Sequence, residues 1–451
     1  MNEQPWLPDK VYQVEDYADR IRRGYYTETK YNNLRLFLDL LAEDLFEFSG
    51  KSYVNGNMKG DIKNFIPTDA KVLLQYYATN PQFVAVGIGE ALAILRQCTG
   101  YFKDGEFINT YNSLKIQAVP DGTIVDISDG IRKVYTPKYK PVLKIWASIR
   151  DIILLKSILK GAMIEASTVA TNVFRHLETA RGKEFIGFPA SFSHYKSQAL
   201  HYYAFNKGVE AYKKLYDEEV QTFTDVESDW WSKTSTFTIP NDAIVLFLGN
   251  SVELMLEIAK KLDPSLKRIA RVGFHNNVIN EALEIAMAMF KAWWACKKLG
   301  DEIGMKKYKL SGIHVSIPKH VRDFSMNSGD EKLDYGVTPK LITELRKALN
   351  GASLERDLPY GSDLREIARQ YCEEIKIFVS DAFDEERIDW FERTQAPADI
   401  YGVGSSLLER SPKTEIQYKA DCVAIQIGNT WHNYSKAGCQ EYFNADLIDV
   451  I

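Results

Sequence analysis

The sequence predicts an α/β protein with a barrel-like second half, and three observations carry that prediction. From residue 184 to 404, short apolar runs alternate with longer stretches of helical periodicity, the pattern of parallel strands joined by helical crossovers. From 114 to 146 the pattern is of short β-type runs punctuated by Pro120-Asp121-Gly122 and Asp129-Gly130. After Gly404 the chain returns to β-type segments.

In chain order, residues 14–50 place apolar side chains at three- and four-residue steps and stop at Gly50, which predicts helix. A second helix is expected near 84–98 and a long one over 151–181. The strand candidates of the second half are EFIGF (184–188), AIVLFL (243–248), RIARVGF (268–274), LSGIHVSI (310–317), IKIFVS (375–380) and ADIYGVG (398–404). Helical stretches at 252–262, 281–300, 338–349 and 384–394 lie between them. The polar run 350–366 reads as a loop or insertion, and 416–428 as strand.

The 451 residues are 45 % hydrophobic, 26 % charged and 12 % aromatic, which describes a chain with a sizeable core and room for two or three domains. Fifty-six Lys and Arg against sixty-one Asp and Glu give a net charge of −5, a balance that disfavours nucleic acid as a partner. The five cysteines (98, 296, 372, 422 and 439) are far apart and odd in number, as expected of reduced intracellular thiols. The polar, acidic opening MNEQPWLPDKVYQVEDY has no signal-peptide character, and no run approaches the ~20 apolar residues of a membrane span. A cytoplasmic protein with no membrane partner is the expectation.

Several segments, in order, resemble the nicotinate phosphoribosyltransferase family, in its compact bacterial and archaeal branch. They are GYYTETKY (24–31), LKIQAVPDGTIV (114–125), GKEFIGFPASFSHY (182–195), GVTPKLITELRKAL (336–349) and IKIFVSDAFDEERIDWFERTQAPADIYGVGSSL (375–407). The resemblance implies an irregular α/β barrel of the type II phosphoribosyltransferase kind, plus an α/β open-faced sandwich formed from both chain ends. The implied division is 1–145 for the N-terminal part of the sandwich, 146–408 for the barrel, and 409–451 for the β segment returning to the sandwich. Members join nicotinic acid to phosphoribosyl pyrophosphate, usually with ATP coupling, and commonly form dimers.

Displacing pyrophosphate from a ribose needs cationic or amide donors for the phosphates and a carboxylate beside the developing positive charge. The positions that the resemblance assigns to this work have lost those groups. Where the family has Pro-Ala-Arg-Phe-Asp-His-Tyr, this chain has Ser191 for the Arg and Ser193 for the Asp, leaving His194 and Tyr195. The phosphorylated His of a Thr-Val-Pro-His segment is Asn241, after Thr238-Ile239-Pro240. The Arg and Asp of Gly-Val-Arg-Leu-Asp are His314 and Ser316, and Val-Asp-Phe-Asp reads Val272-Gly273-Phe274-His275. The Gly-Gly phosphate cradle after Val379-Ser380 is Asp381-Ala382, which puts a carboxylate where a phosphate would sit. The companion turn, with Gly402 and Gly404, is retained. The family's stacking Tyr falls at Lys30, with Tyr31 beside it.

Plainer readings stand beside these. Trp293-Trp294 and Trp230-Trp231 read as core or interface, Cys296 and Cys372 as small buried hydrophobes, and the scattered histidines as poor metal ligands. Glu pairs at 218–219, 373–374 and 385–386 read as solvated helix faces.

The pattern predicts a non-catalytic descendant of the family, with vestigial pocket positions Ser191, His194, Asn241, Ser316, Ser380, Asp381, Gly402 and Gly404. No cofactor and no metal are then expected, and the partners are proteins, with a homo-oligomer in prospect. Two alternatives remain: a nucleotide sensor without turnover, or an active enzyme using phosphoribosyl pyrophosphate, ATP and Mg. The enzyme would draw substitute chemistry from Lys319, Arg322, Asp323 and Asp330.

Overall fold

The computed structural model describes residues 50–54, 57–62, 71–103, 106–127, 139–194, 196–224, 239–327, 329–352, 354 and 362–451. The expected helix over 14–49, Lys30, Tyr31 and Trp230-Trp231 lie outside the described residues. The chain forms two compact units, one from residues 1–174, 199–211 and 409–451, the other from 175–198 and 212–408.

The first unit is built on a six-stranded antiparallel sheet, in the order Thr430–Asn433, Tyr418–Ile427, Lys71–Ala78, Pro141–Ser148, Lys115–Ala118, Ile448–Asp449. Three strands from before residue 150 lie side by side in it, flanked on both sides by strands from after residue 417, as expected of a sheet drawn from distant parts of the chain. The apolar side chains of Lys71–Ala78 and Pro141–Ser148 pack with the helix Ile88–Cys98 and the start of the helix Lys156–Ala180 in one core. The helix Ile88–Cys98 begins at Gly87, whose φ of +84° and contact with the Ala162 carbonyl leave no room for a side chain. Its first amides are held by Asp121, which accepts from Ile88 N at 2.9 Å and Gly89 N at 3.2 Å.

The second unit carries six parallel strands in the order Thr222–Thr224, Glu184–Gly187, Ile400–Val403, Lys376–Ser380, Leu310–Ser316, Arg268–Val272. Numbered along the chain this reads 2-1-6-5-4-3, a circle cut once, which is barrel topology. Among the described residues no hydrogen-bonded pair joins Thr222–Thr224 to Arg268–Val272, so the ring stays open. The sheet nevertheless curls. Ile269 packs in one cluster with Ile186, Phe378 and Ile400, against which Phe223 also rests. Lys267 reaches Glu184 at 3.2 Å, and Lys376 meets the other oxygen of the same carboxylate at 2.8 Å.

Five of the six strands lie where alternation predicts them. The sixth candidate, AIVLFL, is not a strand: Asn241–Leu246 is a short helix that buries Ile244 and exposes Val245 and Leu246. A brief apolar run cannot by its periodicity tell strand from helix. The strand Thr222–Thr224 has no apolar run to announce it. The expected loop 350–366 also needs correction, since Ser362 opens the helix Ser362–Glu373. Cys372 is buried as expected, whereas Cys296 is partly exposed on the helix Val278–Leu299. Trp293 and Trp294 on that helix are half-buried, Trp293 packing on Phe290 and Tyr371.

Candidate functional site

The C-terminal ends of the parallel strands gather the residues that the sequence singled out. Strand register places Arg271, His314 and Phe378 side by side, with Ser316 and Ser380 paired two residues further on. Side chains two apart share a face, so these form polar rows above the apolar cluster of Ile269, Phe378 and Ile400. Arg271 donates from Nη2 to Ser316 Oγ at 3.0 Å. His314, 3 % exposed, bonds through Nε2 to Ser380 Oγ at 2.7 Å and stacks on Phe378 with ring centroids 3.9 Å apart.

Burial, and after it the charge of Arg271, push the His314 imidazole well below its ordinary range. The ring is therefore neutral, and its Nδ1 has no hydrogen-bond partner among the described residues. A serine bonded to a histidine resembles half of a nucleophile pair, but no third group orients the ring and both residues are buried. The pair is a polar layer of the core.

Beyond Ser380 the chain turns through Asp381 at φ +86° and Ala382 at φ +53°. Two successive residues hold the left-handed backbone that glycine adopts freely. The turn thus keeps a glycine geometry without the glycines. Burial raises the Asp381 carboxyl above the usual range, while Arg387, Arg271, Lys319 and His320 pull it back. Those four basic groups face one carboxylate.

The neighbouring strand end is filled as well. After Val272 the chain reverses at Gly273, φ +99°, and turns three successive amides inward. The Glu281 side chain takes all three: Oε2 accepts from Gly273 N at 2.8 Å and Phe274 N at 3.1 Å, and Oε1 from His275 N at 2.7 Å. Such a nest of amides beside a helix start binds anions, and here the anion is the chain's own buried glutamate. Asp323 takes the first amide of the same helix, Val278 N, at 2.9 Å.

The remaining expected positions fall as follows. Ser191 is exposed in the turn Ala190–Phe192, and exposed His194 accepts from Lys196 N at 3.3 Å. Asn241 is the exposed first residue of its short helix. Gly402 is buried between rings: a Cβ there would lie 2.7 Å from Phe378 and 2.9 Å from Phe188. Gly404 lies directly under the ring of Phe192. Both glycines thus serve close ring-on-backbone packing.

Of the alternative set, Asp323 is buried in its capping role and Arg322 binds Met326 O at 2.7 Å and Asp334 at 3.4 Å. Asp330 accepts from Lys332 N, and Lys319 is exposed beside Asp381. Arg271, Arg387 and Glu281 were not singled out in the sequence; the first two have no motif around them, and Glu281 reads as an ordinary first-turn acid. Among the described residues no three His, Cys, Asp or Glu gather as metal ligands. No described helix is long and apolar enough to cross a membrane.

The architecture has known counterparts. Nicotinate-nucleotide pyrophosphorylase from Pyrococcus furiosus superposes with a TM-score of 0.57 over 98 % of this chain and 82 % of its own, at 17 % identity. The likeness is one of fold. NadC from Streptococcus pyogenes gives 0.49 at 11 % identity, over 92 % of this chain and 97 % of its own. Human nicotinic acid phosphoribosyltransferase gives 0.47 at 13 %, over 80 % and 71 %. No family model matches the sequence, and no curated protein matches it.

Proposed function

We propose that this chain keeps a nicotinate phosphoribosyltransferase-like fold but no longer transfers phosphoribose, and serves as a structural or interaction component of a cytoplasmic assembly, itself oligomeric. The observation that carries the reading is Glu281, whose carboxylate occupies the three-amide nest at the end of Arg268–Val272. Two further features support it. Asp381 lies among the basic groups at the next turn but one, and Leu310–Ser316 ends in a serine hydroxyl bound by Arg271. A bound phosphate would have to displace or repel fixed carboxylates, and no carboxylate stands at Ser316 to support developing charge.

One observation favours the rival reading of an active enzyme. Arg271, Arg387 and Lys319 are a cationic set at the strand ends, with Asp381 and Asp384 as the carboxylates acting on it. Pyrophosphate release assays with phosphoribosyl pyrophosphate, Mg and either nicotinate or nicotinamide separate the two readings. The proposal expects no release above background. Turnover would establish the enzyme, and would move attention to the cations around Asp381.

A further inference from the structure

The turn that leads into the helix Ser251–Lys261 combines two features that are unfavourable in a protein standing alone. Leu248 is 97 % exposed and holds a left-handed backbone, φ +52°. Its side chain gains nothing from burial, and a residue with a Cβ is disfavoured in that conformation. Gly249 follows at φ +86°, and a Cβ there would lie 2.9 Å from the His275 ring, whose Nε2 bonds to the Gly249 carbonyl at 2.9 Å. With Ser251, His275, Glu284 and Ile285, these residues wall a cleft of about 390 Å³, within the size range of small-molecule sites. Its walls are separate from the turns at 188–194, 380–384 and 402–406.

Among the polar side chains of the cleft, Asn250 is held by Glu253, its Oδ1 accepting from Glu253 N at 3.0 Å and its Nδ2 donating to Glu253 Oε2 at 3.4 Å, and the others can accept. A carbonyl can only accept, so His275 Nε2 carries a proton, and Nδ1 is the ring's second hydrogen-bonding atom. Glu284 is exposed and has no ion pair among the described residues. The Glu281 carboxylate is already held by three amides, so it adds negative charge and no donor. The Ser251 hydroxyl, in a residue only 7 % exposed, has no hydrogen-bond partner among the described residues. Val252 and Ile285 supply hydrocarbon. Two carboxylates exclude an anion, and unpaired acceptors beside an apolar wall suit a cation that brings several donors.

We propose that this cleft binds a primary alkylammonium group. An ammonium has three donors, to be met by Glu284, His275 Nδ1 and the Ser251 hydroxyl. Its hydrocarbon lies on Val252 and Ile285, and Leu248 covers it. The source is either a free amine or a lysine side chain, and the inference shares with the proposed function the place of Glu281 in its amide nest.

The full chain is titrated with n-hexylamine, with lysine capped at both ends, and with n-hexanol, by ligand-observed NMR and calorimetry. Saturable binding of an ammonium compound with none of hexanol is expected. Glu284→Gln, at an exposed position that leaves the fold intact, should weaken that binding about tenfold. Leu248→Gly should weaken it too, without lowering the melting temperature. Tighter binding of hexylamine identifies a free amine, and tighter binding of capped lysine a protein side chain. Equal binding of hexanol, undiminished binding by Glu284→Gln, or no saturation in the millimolar range would overturn the proposal.

Discussion

Glu281 accepts from three backbone amides, for which no other hydrogen bond is made among the described residues. Replacing it with alanine leaves those amides to whatever water the neighbouring cleft admits. We expect Glu281→Ala to lower unfolding stability by about 2 kcal/mol, the cost of unmet buried donors, in urea denaturation. Glu281→Gln, which keeps one acceptor oxygen, should fall between the two. The opposite sign is expected at Ala382, where a largely exposed alanine sits at φ +53°. Ala382→Gly should raise stability by about 1 kcal/mol, because the left-handed backbone penalises any Cβ. This is the scale at which the sequence was least legible. Asp381 could be read from its place after Val379-Ser380. The role of Glu281 could not, because the amides it binds come together only when the chain reverses at Gly273.

At the scale of elements, the helix Ile88–Cys98 gives the clearest dependence on pH. Glu90 in its first turn is raised to about 7, by burial first and then by the charges of Glu165 and Asp121. Glu165 itself is held down to about 2 by its bond to His201 at 2.7 Å. A raised carboxyl favours the folded state while protonated. Its contribution is complete below the unfolded value near 4.5 and is lost as pH rises toward 7. Glu90→Gln should therefore match the parent near pH 4 and exceed it by about 2 kcal/mol at pH 8, measured by urea unfolding at both pH values. At the end of Ile400–Val403, Gly402→Ala should cost about 1–3 kcal/mol, since its Cβ meets two rings that must both move. Elements were legible wherever length and alternation agreed, as at 268–272, 310–316 and 376–380. They failed at 243–248, where four of the six apolar residues end a short helix and two enter the turn after it, and at 222–224, where three residues carry no pattern.

For the whole molecule, the circular strand order 2-1-6-5-4-3 joins the sequence to its fold. Alternation of strand and helix announced parallel strands, but only the pairing of Glu184–Gly187 with Ile400–Val403 reveals that the first strand lies beside the last. The superposition on nicotinate-nucleotide pyrophosphorylase carries the fold and leaves the chemistry to the strand ends. There the proposed loss of transfer rests on the chain's own carboxylates, Glu281 in the amide nest and Asp381 among the cations. Calorimetric titration of the full chain with phosphoribosyl pyrophosphate and Mg tests it most directly. The account predicts no saturable heat up to millimolar concentration. Micromolar binding would contradict it, and would mean that the cations at Arg271, Arg387 and Lys319 prevail over the carboxylates beside them.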